Sequence, residues 1–283
     1  MKFAAVLLAA TLPLTAQWLD HKDPRTPRTK DGKANLTAPA PRMNGKLDLS
    51  GVWHAERTPL SEMTRVLGDA AAIVQVDLND VTKYVINVFW DVKPGEEPLR
   101  PDAAAVMKQR IGMDFVTARC LPGGVPAGFL VEPFKIIQAP RQIAVISGIG
   151  DPTRQIYTDD RSLPGDPEPA WMGYSVGKWQ GDALVVETVG ITEKSWLDAF
   201  GHPRSQSMRI REVYRRRDFG HMDFEVTFDD PAYYTRPFSI KTELLLLPDT
   251  DVLEYVCTDN EKDRTHTEHA SAAASANVLK TAH

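Results

Sequence analysis

The stretch MDFEVTF, residues 222–228, alternates strictly between apolar and polar side chains. Because successive residues of a strand point to opposite faces of a sheet, this alternation predicts one dry face and one wet face, which is typical of antiparallel sheets. The stretch FSIKTELLLL, residues 238–247, repeats the pattern. The residues directed to the dry face are Met222, Phe224, Val226, Phe228, Phe238, Ile240, Thr242, Leu244 and Leu246.

Segments of the same kind continue in both directions along the chain. From Phe134 onward, short β-runs alternate with turn residues. The predicted strands cover residues 134–138, 142–149, 154–158, 172–178, 183–190, 208–216, 222–228, 238–247 and 252–258. A sheet of about eight successive strands exposes its edges unless it closes or folds over. We therefore predict a mainly β protein, an antiparallel meander that forms a barrel or a strongly curved sandwich.

The chain before this meander is more mixed. Residues 1–16 have a lysine, an apolar run and a small terminal residue, which predicts a cleaved signal peptide and a periplasmic or secreted protein. Residues 17–48, rich in Pro, Lys and Thr, predict a flexible lead or a surface strap. We expect one domain over residues 49–262 and a C-terminal helix or tail over 263–283. Within that domain we predict helices at 59–69 and 101–111, and a strand in KYVINVFWDV, 83–92.

In a meander the connections lie alternately at the two ends of the sheet. The short connections, which define the closed end, are residues 150–153, 178–182, 217–221 and 248–251. The long connections, which define the open end, are residues 159–171, 191–206, 229–237 and the stretch after Thr258. Long loops on a rigid scaffold usually carry the binding site, and the mouth of a barrel is a common place for a pocket.

Aromatic and charged side chains at the open end predict a site for a small apolar or aromatic molecule. The candidate ligand contacts are Trp171, Tyr174, Trp196, Tyr234 and Arg236. Tyr174 alternates with Met172 and Val176 on one face of a predicted strand. Its hydroxyl is therefore directed either to an interior cavity, as a ligand contact, or into the core.

Two Gly-His pairs, at His202 and His221, raise the question of a metal site. The strand 208–216 between them spans roughly 30 Å. Because metal ligands lie about 2 Å from a common ion, these two histidines cannot share one, and we predict no metal. His221 ends a tight turn, whereas His202 follows Asp198 by four residues at the open end. His202 and Asp198 are candidates for proton transfer, the alternative being a loop histidine that caps a carbonyl.

Glu212 is the candidate inside the barrel, because it shares the dry face with Ile210 and Tyr214. An inward carboxylate is costly unless it is paired or protonated. It is therefore either a catalytic acid or base, or half of a structural pair with an arginine. The types of Ser205, His202 and Asp198 fit a hydrolase triad, but all three lie on one loop and no G-x-S-x-G occurs. HTEH, residues 266–269, lacks the H-E-x-x-H spacing of zinc proteases.

Two resemblances support the predicted barrel. Gly51-Val52-Trp53, in LSGVWH, resembles the G-x-W signature of lipocalins, in which the Gly allows a tight approach and the Trp closes one end. This implies a lipocalin-like barrel with a few helices N-terminal to it. WMGYSVGKWQGDALVVETVG, GHPRS, RRDFGH, DDPAYYTRP and CLPGGVP look like the pattern of a large family of exported bacterial β-proteins with no established activity. That resemblance runs from Leu49 to Glu261 and implies export and fold only.

Composition limits the partners and the compartment. The net charge of −5 offers no electrostatic basis for binding nucleic acid. No segment after the leader is long and apolar enough to predict a membrane span. Cys120 and Cys257 form an even pair, which in an exported protein predicts a disulfide, the alternative being two buried thiols.

Three classes of function remain open from the sequence. The first is an exported barrel that binds a small apolar or aromatic molecule. The second is a cofactor-independent isomerase, cyclase or lyase that transfers protons through His202, Asp198 or Glu212. The third is an envelope interaction protein with a filled core. No Walker or dinucleotide-binding motif occurs, and we predict no cofactor.

Overall fold

A computed structural model describes residues 22–68, 81–110, 113, 116–148 and 150–257. The predicted signal peptide, the predicted C-terminal tail and the HTEH motif lie outside these residues.

The predicted barrel is confirmed, and it is closed. Eleven strands are described: β1 (Arg42–Met43), β2 (Lys46–Leu47), β3 (Gly51–Ala55), β4 (Phe134–Ala139), β5 (Gln142–Ser147), β6 (Arg154–Tyr157), β7 (Tyr174–Gln180), β8 (Ala183–Val189), β9 (Arg209–Arg216), β10 (His221–Asp229) and β11 (Phe238–Leu246). The hairpin β1–β2 stands apart, and the other nine strands close in the order β10-β11-β3-β4-β5-β6-β7-β8-β9. Closure removes the free edges that a meander of this length would otherwise expose.

Alternation of burial shows why the sequence forms this sheet. Along β10, Met222, Phe224, Val226 and Phe228 are buried, and the residues between them are partly or fully exposed. The buried faces of neighbouring strands meet inside the barrel, where Trp53, Ile143, Ile156, Leu184 and Phe228 are almost completely enclosed. The apolar period of two in the sequence is therefore the period of the core.

The meander contains one parallel junction, which corrects the predicted ends of the barrel. β6 pairs in parallel with β7 at Ile156↔Ser175 and Tyr157↔Val176, whereas every other neighbouring pair in the barrel is antiparallel. The chain from 158 to 173 therefore crosses from one end to the other. Because of this crossing, successive connections no longer alternate regularly between the two ends of the barrel. The turn at 150–153 therefore lies with the long connections at the open end and not, as predicted, at the closed end.

A strand was also predicted at 252–258, and that prediction is wrong, because residues 252–257 form no strand. The reason is that β11 already pairs with β3, which leaves it no edge to share. The segment instead follows the outside of the barrel. Lys135 on β4 binds Asp251 with 2.6 Å between Nζ and Oδ2, and Cys257 is linked to Cys120.

Four helices are described: α1 (Leu60–Leu67), α2 (Lys83–Ile86), α3 (Pro101–Arg110) and α4 (Ala127–Leu130), with a 3₁₀ turn at Val116–Arg119. The predictions at 59–69 and 101–111 match α1 and α3. The predicted strand at 83–92 is wrong, because it begins as α2 and continues as turns. Its apolar residues are buried against the open-end loops: Ala199 and Phe200 donate backbone hydrogen bonds to the carbonyls of Val85 and Ile86.

Trp53 lies buried at the closed end of the barrel, beside Arg216 at the end of β9. Its ring is fully buried, and its Nε1 donates to the carbonyl of Leu49 at 2.9 Å. The guanidinium of Arg216 lies 4.9 Å from the ring. At Gly51 (φ 145°) a Cβ would lie 2.5 Å from Leu246, so only glycine permits this close approach.

Residues 22–47 lie across this closed end as a strap. Gly220 and Phe219 donate backbone hydrogen bonds to the carbonyls of Leu36 and Ala38, each at 2.7 Å. Arg42 pairs with Asp182 at 2.7 Å. The strap therefore covers the turn between β9 and β10.

The predicted disulfide Cys120–Cys257 is confirmed and links residues 137 positions apart. It joins the segment after β11 to the segment before β4. No helix within the described ranges is long and apolar enough to cross a membrane.

Candidate functional site

The open end assembles three connections, β5–β6, β8–β9 and β10–β11, with the chain that precedes β4. The Ser205 amide donates to Asp230 Oδ2 at 2.7 Å, which joins β8–β9 to β10–β11. The Gly123 amide donates to Asp151 Oδ1 at 2.7 Å, which joins the chain before β4 to β5–β6. Ser195 Oγ donates to the Gly123 carbonyl at 2.7 Å and completes the link.

His202 and Asp198, the predicted proton-transfer residues, form a buried pair within this assembly. Their Nδ1 and Oδ2 atoms are 2.5 Å apart, and both side chains are buried. Asp198 Oδ2 also accepts the Val88 amide at 2.7 Å, and Oδ1 accepts the His202 amide at 3.2 Å. Since a carboxylate held by several donors only accepts, the Nδ1–H of His202 donates to Asp198. In the neutral tautomer with this N–H, Nε2 is the acceptor.

Aromatic rings surround this pair, and they include one predicted ligand contact, Tyr234. The Phe89 ring meets the His202 ring edge-on with centroids 4.9 Å apart. Tyr234 is buried and donates its hydroxyl to the Pro203 carbonyl at 2.7 Å. Burial and nearby negative charges raise the pKa of that hydroxyl, so it remains a donor.

Trp196, a second predicted contact, packs beside the pair through Arg110. The Arg110 guanidinium lies 4.9 Å from the Trp196 ring, and its Nη1 donates to the Gly201 carbonyl at 3.0 Å. Burial lowers the pKa of Arg110, which still leaves a cation at the end of α3. The structure thus places buried aromatic rings and a positive charge next to His202.

Two further charged groups, Asp151 and Arg204, lie buried at the same end. Asp151 Oδ2 and Arg204 Nη2 have no hydrogen-bond partner. Burial raises the pKa of Asp151 to about 6, although the Gly123 and Gly124 amides and the charge of Arg204 act in the opposite direction. Burial lowers the pKa of Arg204 to about 9, so it is charged at neutral pH.

Glu212, the third predicted catalytic residue, belongs to a separate network inside the barrel. Its Oε1 accepts Arg154 Nη1 at 2.9 Å and the Tyr214 hydroxyl at 2.8 Å, and its Oε2 accepts Arg154 Nη2. Arg154 also donates to Ser175 and Thr188, so the network crosses β6, β7, β8 and β9. Burial acts to lower the pKa of Arg154, but the charge and hydrogen bonds of Glu212, together with Tyr214, outweigh burial and raise that pKa. Of the two alternatives posed by the sequence, these contacts are those of a structural pair.

The other predicted ligand contacts are scattered. Tyr174 lies on the outer face of the barrel, not toward its interior: its hydroxyl accepts Arg161 Nη1 at 3.1 Å on the surface. The reason is that Ser175, one residue on, is the inward residue of β7. Arg236 is exposed, whereas Trp171 is half-buried, with its carbonyl close to Gly124.

The remaining polar motifs have local partners. Ser205 donates its hydroxyl to Asp230 Oδ1 at 2.7 Å and is not bonded to His202. His221 Nδ1 pairs with Asp218 Oδ1 at 2.7 Å in the β9–β10 turn, so the two Gly-His pairs lie at opposite ends of the barrel. Within the described part of the chain, no three His, Cys, Asp or Glu side chains are grouped as metal ligands.

The outer face of β9, β10 and β11 carries an open groove of about 600 Å³. Its charged side chains largely neutralise one another, since Arg217 pairs with Glu243 and Asp223, and Lys241 pairs with Glu225. The groove is separate from the open end and shares none of its residues.

Sequence reasoning missed Asp151, Arg204 and Arg110 as members of this site. The sequence places Asp151 in a tight turn at the closed end, because nothing in it indicates the parallel junction between β6 and β7. Arg204 stands two residues after His202, and that proximity was a usable signal. Arg110 ends a predicted helix, and nothing in the helix itself indicates that it contacts Gly201.

Comparison with known proteins adds nothing to this geometry: no family model, curated protein or solved structure matches the chain. The resemblance to exported bacterial β-proteins therefore stays a prediction.

Asp151 makes the stability of the fold depend on pH. Its pKa rises from an ordinary value near 4 in the unfolded chain to about 6 in the fold. Because the folded pKa is the higher one, the stabilisation is complete below about pH 4 and is lost as the pH rises through 6. The free energy of unfolding of Asp151→Asn, relative to the unsubstituted protein, should therefore increase by about 2–3 kcal/mol between about pH 4 and 7.

Urea unfolding across this pH range measures the effect. Asp159→Asn is the control: the hydrogen bond from Arg161 lowers the pKa of this surface aspartate, so its removal should not reproduce the increase. Parallel stability profiles for Asp151→Asn and the unsubstituted protein would show that Asp151 titrates normally.

Proposed function

We propose that the protein is an exported β-barrel that binds a small, largely apolar or aromatic molecule at its open end. The observation that supports this most directly is the grouping of Trp196, Tyr234 and Phe89 around the buried His202–Asp198 pair. Apolar surface with a few convergent polar groups is the usual composition of a small-molecule site. His202 or Arg110 supplies the polar contact.

The packing of the barrel favours its rim over its interior as the binding place. Trp53, Phe228 and the Arg154–Glu212 pair occupy the inside of the described barrel. Each polar atom of that ion pair is already bonded, so a ligand would have to displace a complete network. The filled interior also fits an envelope interaction protein, and a binding measurement separates the two.

Export is the second part of the proposal. The Cys120–Cys257 disulfide supports it, because such bonds persist in oxidising compartments such as the periplasm.

Tryptophan fluorescence tests the binding proposal. A hydrophobic probe at the open end should quench Trp196, and the Trp196→Phe variant should lose most of the signal. Trp179→Phe is the matched control, because Trp179 lies near the other end of β7 and is half-buried. We expect the control to keep the response. Lack of displaceable binding to a folded sample would contradict the proposal.

The His202–Asp198 geometry favours a second candidate, a cofactor-independent isomerase, cyclase or lyase. A histidine oriented through Nδ1 by a carboxylate presents Nε2 as a general base. The base would take a proton from a carbon of the bound molecule and return it at another position.

Deuterium exchange separates this candidate from simple binding. A ligand identified in the fluorescence screen is incubated with the protein in D₂O, and its C–H signals are followed by NMR. Proton-transfer catalysis predicts exchange that falls about a hundredfold or more in His202→Gln. His221→Gln, which alters the other His–Asp pair, should retain it. Binding of the ligand without any deuterium exchange would exclude the isomerase, cyclase or lyase.

A further inference from the structure

Arg204 is a buried cation with an unused donor. Its side chain is 1% exposed and lies in the β8–β9 connection. Nε donates to the Thr192 carbonyl at 2.9 Å and Nη1 to the Val125 carbonyl at 3.1 Å, whereas Nη2 has no partner. A buried charged N–H without an acceptor is unfavourable, so an acceptor supplied from outside the chain would be stabilising.

No acidic side chain of the described residues forms a salt bridge with Arg204. Arg154, the other fully buried arginine, contrasts with it, because Glu212 neutralises that charge directly. Arg216, which is also buried, has its donors directed to backbone carbonyls, including that of Asp48 at 2.5 Å. Arg204 alone of these three combines burial with a free donor and no contacting counter-ion.

The loop at Gly123 and Gly124 places Asp151 beside this guanidinium. Asp151 Oδ1 accepts the Gly123 amide, and Oδ2 is the second buried atom without a partner. A Cβ at Gly124 would lie 2.7 Å from the Trp171 carbonyl oxygen and 2.8 Å from Arg204 Nη2, so only glycine lets the loop pack this closely against the guanidinium. Two unpartnered polar atoms therefore border the same loop.

The chemistry of these groups selects a singly charged oxyanion. The cation at Arg204, with Arg110 as a further positive charge, attracts an anion, and a planar carboxylate suits a guanidinium donor. Asp151 repels a doubly charged group such as phosphate. It can share a proton with a carboxylate, because burial raises its pKa to about 6.

We infer that the ligand of the open end is a small apolar or aromatic carboxylic acid whose carboxylate accepts Arg204 Nη2. This inference rests on the proposed binding function and names the chemical class of its ligand. The apolar part of the acid packs toward Trp196, and its carboxylate lies at the Gly123–Gly124 loop beside Asp151.

A matched pair of probes, phenylacetate and phenylacetamide, tests this inference with the full chain at about pH 5.5, where the acid is ionised. Both compete with the fluorescent probe of the binding assay. The acid should bind at least about tenfold more tightly than the amide, because charge-assisted hydrogen bonds are the stronger ones. Arg204→Gln should abolish this preference, and Arg100→Gln, an exposed arginine at the same end, should keep it.

The outcomes of this experiment distinguish failure of the carboxylate site from failure of the proposed binding function. If acid and amide displace the fluorescent probe equally, or neither displaces it, the carboxylate site is overturned while binding stands. If the fluorescent probe itself does not bind, the binding function fails. If Arg204→Gln does not fold, the acid-to-amide ratio of the unsubstituted protein decides alone: a ratio near one overturns the inference and leaves at most a bridging water at Arg204.

Discussion

The Arg154–Glu212 ion pair spans the shortest seam of the barrel. β6 and β7 are paired at only two positions, whereas β10 and β11 are paired at eight. Arg154 reaches from β6 across β7 and β8 to β9, bonding Ser175, Thr188 and Glu212 in turn. A buried pair gains little net free energy over apolar packing, but removal of one partner leaves an uncompensated charge and costs about 3–5 kcal/mol. We therefore expect the pair to specify a closed barrel more than it stabilises one.

The same seam determines what the open end contains. Because β6 and β7 are parallel, the β5–β6 turn lies with the β8–β9 and β10–β11 connections. This brings Asp151 to the Gly123–Gly124 loop and to Arg204. An all-antiparallel meander of the same strands would place Asp151 at the opposite end. The site thus depends on the one junction that departs from the regular pattern, and the buried pair secures that junction.

The alternation of apolar and polar residues predicted the strands, because a strand's pattern depends only on which of its own side chains are buried. The strands from 134 to 247 follow from alternating side chains, and the place of Trp53 follows from a short motif. The errors concern partner choice: residues 252–257 and 83–92 have strand-like composition, yet β3 already occupies the edge of β11. The His202–Asp198 pair was predictable from its spacing of four on one loop. The Asp151–Arg204 neighbourhood was not, because it joins loops whose ends of the barrel were assigned incorrectly.

Native-state hydrogen exchange at the β6–β7 seam tests most directly whether the buried pair holds the barrel closed. In the unsubstituted protein, the seam amides should exchange with the free energy of global unfolding despite their short pairing. In Glu212→Gln their protection should fall about a hundredfold or more relative to the amides of β10 and β11. Two results would contradict the account. One is that the seam amides of the unsubstituted protein exchange with a free energy well below that of global unfolding. The other is that Glu212→Gln leaves their protection unchanged.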